Sequence, residues 1–271
     1  MFLKRDTDSD NTDPKPPSAF RSPQDATRLK TADNTLLDIG STGIPTVSGS
    51  RDFEDFVYIL SHDVRGSVRA LLEIPQWIKE DLIDDGVSIS GSLSENLTLM
   101  ESHARRLDTM LVDLLTYSRV GRKQSMRSIH LEDVLNNVIL AQNIPADFEI
   151  TYDLKLKSIK MGEDDVETLL SALISNAFKH HDKKRGFVRI STCAEDDHFV
   201  LCVEDDGPGI PVKFRERVFE AMTTLKSRDE VEGSGMGLAI VRKIVDLYGG
   251  NLEWLEPDNG TGTSLKIKFP T

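Results

Sequence analysis

A histidine and an aspartate, His62–Asp63, stand side by side in the strongly helical text "YILSHDVRGSVRALLE" (Tyr58 to Glu73). The carboxylate could orient the imidazole or accept a proton from it, which would leave the distal ring nitrogen as a nucleophile. A metal site fits poorly, since no second histidine or cysteine follows at a spacing of three or four. Much further along, "VEDDGPGIP" (Val203 to Pro211) is an apolar run ending in two carboxylates and a Gly-Pro-Gly turn. Asp205 could accept a hydrogen bond from an exocyclic amine such as that of adenine, with Gly207 and Gly209 letting the backbone approach the base. The same text also suits a plain turn. "EGSGMGLAIVRKI" places Gly233, Gly235 and Gly237 just before a helix, where exposed amides attract phosphate. It lacks both the acidic ribose partner of a dinucleotide fold and the Gly-Lys-Ser/Thr ending of a P-loop. In "LISNAFKHH", Asn176 and Lys179 are three apart and share a helical face. An amide oxygen can hold Mg²⁺, and a lysine can meet a phosphate.

These groups need elements to position them. Phe53, Val57, Leu60, Val64, Val68, Leu71, Ile78 and Leu82 recur at spacings of mostly three and four, which predicts a long amphipathic helix. At about 100° per residue, His62 falls roughly 180° from that stripe, on the outward face. After the breaker "DDGVSISGS", Leu93, Leu97, Met100, Ala104, Leu107, Leu111 and Leu114 form a heptad seam. Two helices cannot shield so long a stripe, so a second copy completing a four-helix dimer is the economical partner. Beyond "SRVGRKQS" the pattern changes. "EITYDLKL", "FVRISTCA" and "HFVLCVED" alternate as strands, "VETLLSALISNAFKHH" and "GMGLAIVRKIVDLYG" read as helices, and "NLEWLEPDNGTGTSLKIKF" reads as two strands around a turn. The expected fold is α+β in two domains: a helical hairpin over 51–121, then an α/β sandwich over 122–271. Residues 1–50, rich in Asp, Ser, Thr, Pro and Gly, are expected to form a mostly disordered leader, with "TRLKTADNTLLDI" as a candidate docking segment.

Composition narrows the partners. A formal charge of −12 opposes electrostatic attachment to nucleic acid or anionic lipid. No run of about 18 apolar residues predicts a membrane span, and no secretory signal opens the chain, so it is expected to be cytoplasmic. Two cysteines, Cys193 and Cys202, are too few for a disulfide framework or a four-thiolate metal site and are read as buried reduced thiols.

With these residues assembled, the chain resembles the catalytic core of a two-component sensor histidine kinase. Its second domain resembles the nucleotide fold shared by the gyrase, heat-shock-protein-90, histidine kinase and MutL ATPases. "SHDVRGS" resembles the histidine box, "SNAFKHH" the asparagine box, "EDDGPGI" the first glycine box, "VFEAM" the phenylalanine box, "GSGMGL" the second glycine box and "GTGTS" a final glycine turn. They stand in the family's order across residues 51–271, and "LKSRDEVEGSGMGLAI" resembles the lid of phytochrome-like kinases.

The resemblance implies roles. His62 would accept the γ-phosphoryl group of ATP, with Asp63 as general base. Asn176 would hold Mg²⁺, with Lys179 and His180 at the phosphates. Asp205 would bind the adenine amine, with Gly207 and Gly209 shaping the pocket. Residues 211–234 would form a lid anchored by Phe219. Gly233, Gly235, Gly237 and Leu238, with Thr263 of the final turn, would border the nucleotide. The implied partners are a second copy of the chain and the receiver domain of a response regulator, with input from an upstream sensory protein. A degenerate kinase that only binds a regulator, or a pure phosphotransfer protein, are the rival readings. Gly66 stands where the family often has a Thr or Asn that positions water, Ser67 where it often has a proline, and Ala172 where it has a second asparagine. The resemblance therefore implies autophosphorylation without implying phosphatase activity.

Overall fold

A computed structural model describes residues 50–122, 124–225, 233–257 and 260–271; for residues 50–56 and His62 the description stops at the backbone. The leader and its candidate docking segment, the lid stretch 226–232 and residues 258–259 of the turn between the last two strands lie outside the described residues.

Two helices come first. α1 runs Ser50–Asp84 and passes Pro75 without a break. Gly86 and Gly91, both at positive φ, turn the chain into α2, Ser92–Arg119. Lys79 pairs with Glu101, Arg65 with Asp108, and Arg119 lies over the Tyr58 ring, so the helices are antiparallel. The heptad seam of α2 divides by alternate members. Leu97, Ala104 and Leu111 are buried within the hairpin, whereas Met100 and Leu107 are exposed. On α1, Val68 is buried, while Leu60, Leu71 and Ile78 are exposed. One hairpin thus satisfies half of its apolar pattern and leaves the other half in water.

The remainder is an α/β sandwich. Its elements are β1 (Arg127–His130), α3 (Leu131–Ala141), β2 (Phe148–Leu154), β3 (Ser158–Met161), α4 (Glu163–Lys179), β4 (Gly186–Glu195), β5 (His198–Asp205), α5 (Gly237–Leu247), β6 (Asn251–Leu255) and β7 (Thr263–Pro270). The main sheet has the order β2-β4-β5-β7-β6, with β2 and β4 parallel and every other pair antiparallel. β1 and β3 form a separate antiparallel pair that buries Ile129 against Ile159.

Period-two alternation sends Val188 and Ile190 of β4, Leu201 and Val203 of β5, and Leu265 and Ile267 of β7 to one face. Leu135, Leu170, Ile174, Val241 and Ile244 of α3, α4 and α5 share their core. The opposite face is polar, with Lys266 and Lys268 both paired to Glu195. Cys193 and Cys202 sit on β4 and β5 as free thiols, half-buried rather than fully buried, and burial pushes the Cys202 thiol up. Among the described residues, no helix is long and apolar enough to cross a membrane.

Candidate functional site

Asp205 is the last residue of β5, two positions beyond Val203, so the alternation that builds the core also turns its carboxylate toward the helices. Its Oδ1 accepts the Gly207 N–H at 2.9 Å and the Thr263 N–H at 3.1 Å, Thr263 being its register partner on β7. Burial pushes the Asp205 carboxyl up, while the Gly207 and Thr263 amides work to hold it down. The loops around it leave no room for side chains. A Cβ at Gly209, where φ is +71°, would lie 2.5 Å from the Gly262 carbonyl, and a Cβ at Gly262 would strike the Asp205 carbonyl.

Asp205 borders a cavity of about 470 Å³. α4 contributes Asn176 and Lys179 to its wall, with His180 following; the second glycine turn contributes Gly233, Gly235, Gly237 and Leu238; Gly209 and Thr263 complete it. Ten residues selected from sequence for nucleotide contact, drawn from four separate segments, therefore line one space. Two others do not. Gly207 serves by holding Asp205, and Phe219 is buried in the core beside Trp254 and beneath the Arg242 guanidinium. Gly235 has a conformational reason to be glycine: its φ is +76°, and a Cβ would lie 2.6 Å from the Thr223 carbonyl.

His181 fixes the two sides of this cavity relative to each other. Its Nδ1 accepts the Lys183 N–H at 3.0 Å, so Nε2 carries the proton and donates to Asp206 Oδ1 at 3.1 Å. The ring is buried edge-on against Phe148. Although burial works against its charge, the Phe187 N–H and His181 hold the Asp206 carboxyl below the usual carboxylate range. The end of α4 is thereby tied to the end of β5.

Sequence reasoning missed the cavity's third side. Thr109, Asp113 and Thr116 of α2 line it, so the hairpin closes the site. The Ser234 hydroxyl donates to Asp113 Oδ2 and accepts the Met236 N–H at 3.0 Å, and Lys243 Nζ donates to the Tyr117 carbonyl at 2.8 Å. Burial pushes the Asp113 carboxyl up against the pull of Ser234 and Lys179. No sequence signal marked Asp113, a single carboxylate between seam residues.

On α1, His62 lies between Tyr58 and Arg65. Those residues meet Arg119 and Asp108 of α2, which bracket Asp113. The backbone of His62 is therefore level, along the hairpin, with the residue that touches the second glycine turn. Asp63, next to it, is exposed.

The α/β sandwich with its glycine-turned, Asp-floored cavity, joined to a helical hairpin, shares its fold with solved histidine kinase structures. The family model described as "Histidine kinase-, DNA gyrase B-, and HSP90-like ATPase" matches residues 161–271. The chain is 27% identical to cyanobacterial phytochrome A of Nostoc sp. (strain PCC 7120) over 81% of its own length and 28% of the relative's. It is also 27% identical to the adaptive-response sensory kinase SasA of Synechococcus sp. (strain JA-2-3B'a(2-13)), over 81% of this chain and 60% of that one. The chain thus spans less than a third of the phytochrome relatives it matches. Among solved structures, full-length ShkA in complex with AMPPNP shares the fold at a TM-score of 0.59 and 22% identity, covering 80% of this chain and 46% of that one. The Acinetobacter baumannii histidine kinase AdeS does so at 0.52 and 23%, covering 75% and 96%.

Proposed function

We propose that the chain is a histidine protein kinase that phosphorylates His62 from ATP and passes the phosphoryl group to an aspartate on the receiver domain of a response regulator. The observation that carries this reading is the closure of the nucleotide cavity by α2 at the level of His62. A phosphoryl donor held there faces the helix pair that carries the acceptor.

In this reading Asp205 accepts the adenine amine, and the tight turns at Gly209 and Gly262 keep that end of the cavity open to a flat ring. Lys179, His180 and the amides around Gly235 and Gly237 meet the phosphates at the N-terminus of α5. The distal nitrogen of His62 attacks the γ-phosphorus. The P–O bond to the β-phosphate breaks, ADP leaves with the electron pair, and Asp63 takes the imidazole proton. Among the described residues no three His, Cys, Asp or Glu side chains gather as a metal site of their own. The Asn176 amide oxygen in the cavity wall is a suitable hard ligand to share Mg²⁺ with phosphate oxygens. When bound, the cation neutralises phosphate charge. A homodimer built on the exposed half of the hairpin seam completes the assembly.

The test is incubation with γ-labelled Mg-ATP. Acid-labile label that disappears in His62→Gln is expected, followed by its loss on adding a cognate regulator. Label that survives His62→Gln, or none in the unmodified chain, overturns the kinase. An Asn176→Asp variant with unaltered metal-dependent ATP binding overturns the metal assignment.

A further inference from the structure

The wall of the cavity supplied by the hairpin contains a negative charge, Asp113, where the proposed ligand brings negative charge of its own. Lys179, read as serving the phosphate end, and Ser234, inside the second glycine turn, are already engaged by it. Ser234, between Gly233 and Gly235, gives its hydroxyl proton to Asp113 Oδ2, and Lys179 acts on the same carboxylate through its positive charge. Ser234 is buried and its Oγ also caps the Met236 N–H, so the contact reaches the backbone of the glycine turn itself. α5, which the turn opens, is held to α2 by the bond from Lys243 to the Tyr117 carbonyl. A phosphate chain entering here must share Ser234 and Lys179 with Asp113 and accept its repulsion.

We propose that Asp113 is a specificity-determining residue of the nucleotide site, supplied by the hairpin, which penalises adenine nucleotides in proportion to the charge on their phosphate end. This rests on the nucleotide reading above and deepens it. Adenosine feels no penalty, ADP an intermediate one and ATP the largest. Docking of the ATPase domain on the hairpin and loading with ATP therefore oppose each other. Movement of the turn away from Asp113, or loss of the Asp113 charge, favours the loaded state.

The experiment measures binding of adenosine, ADP and ATP, with Mg²⁺ present, to the full chain, Asp113→Asn and Asp113→Ala. Asn keeps an acceptor for Ser234 and loses only the charge; Ala loses both. Both variants should bind ATP about three- to tenfold more tightly, the effect of removing one repulsive charge a few ångströms away in a partly wet site. ADP should gain less and adenosine nothing, and added salt should shrink the gain. An equal change for all three ligands overturns the proposal in favour of a packing effect. Weaker ATP binding overturns it in favour of Asp113 helping to hold phosphate or metal. If the unmodified chain binds none of the three, the nucleotide reading itself fails, a result distinct from binding that ignores Asp113.

Discussion

Both carboxylate oxygens of Asp165 accept the backbone N–H of Gly121, at 3.1 and 3.2 Å. Asp165 lies in the first turn of α4 and Gly121 just past the end of α2, so a single buried side chain joins the end of the hairpin to the sandwich. Its charge is favoured by the helix N-terminus, and Tyr248 donates to its Oδ2 at 2.7 Å. Asp165→Asn keeps one acceptor oxygen and turns an NH₂ toward the Gly121 N–H or the Tyr248 hydroxyl, so one of these donors loses its acceptor. It should cost about 1–3 kcal/mol in denaturant unfolding, while Glu167→Gln at the exposed cavity rim should cost little. Equal stability of the Asp165 variant and the unmodified chain would show the joint to be unimportant.

Tyr248 gives the same joint a pH signature. Burial first, and the bond to Asp165 second, push its phenol up to about 12 from an ordinary value of 10. Its folded pKa is above the unfolded one, so the folded state keeps the proton longer. The contribution is complete below pH 10 and is lost as pH rises from 10 to 12. Unfolding curves across that interval should fall more steeply for the unmodified chain than for Tyr248→Phe. Parallel curves would remove Tyr248 from the account.

Two glycines of the second glycine turn should respond oppositely to alanine. At Gly235 a Cβ meets the Thr223 carbonyl at 2.6 Å with φ at +76°, whereas at Gly237 it meets nothing within 4 Å at an ordinary helical φ. Gly235→Ala should destabilise the chain by about 1–3 kcal/mol, the cost of backbone strain, and open the turn. Gly237→Ala should fold as well as the unmodified chain. Any loss of ATP binding in Gly237→Ala then reports close approach of the ligand and not damage to the fold, a separation that melting temperature and nucleotide titration together resolve.

That contrast also marks what the sequence could say. The glycines, Asn176, Lys179 and Asp205 were legible because each motif has a local reason for its residue types. The strands of the main sheet were legible from alternation. β1 and β3 span four residues each, too short for alternation to stand out, and α3 carries Leu131, Val134, Leu135 and Val138 at helical spacing over only 11 residues. Asp113, Asp165 and His181 were invisible for a different reason. Their roles arise from partners 121, 44 and 25 residues away, and nothing in their own neighbourhoods departs from an ordinary helix or helix end.

α1 carries two local costs on either side of His62. Ser61 is buried with no hydrogen-bond partner for its Oγ among the described residues, and Gly66 sits inside the helix with open space where a Cβ would be. Ser61→Ala removes an unsatisfied hydroxyl and should stabilise by about 1 kcal/mol. Gly66→Ala lowers the entropy of the unfolded chain and should add about 0.5–1 kcal/mol. Destabilisation by Ser61→Ala in denaturant unfolding would mean that the hydroxyl is paired in the assembled protein.

The exposed half of the hairpin seam carries the last prediction. Leu71, Met100 and Leu107 are 45%, 38% and 39% exposed, although they belong to apolar stripes whose alternate members, Val68, Leu97, Ala104 and Leu111, are buried. A chain that uses one phase of its heptads within the hairpin and leaves the other in water has a surface suited to a second copy. Leu107→Glu places a charge on that surface without entering the core of a single hairpin, so its cost to the isolated fold should be within about 0.5 kcal/mol. Light scattering should give the unmodified chain twice its 30.3 kDa mass and the variant one copy, with helix content unchanged by circular dichroism. An unmodified chain that stays monomeric at tens of micromolar, or a Leu107→Glu variant that remains dimeric, would rule out this seam as the dimer interface.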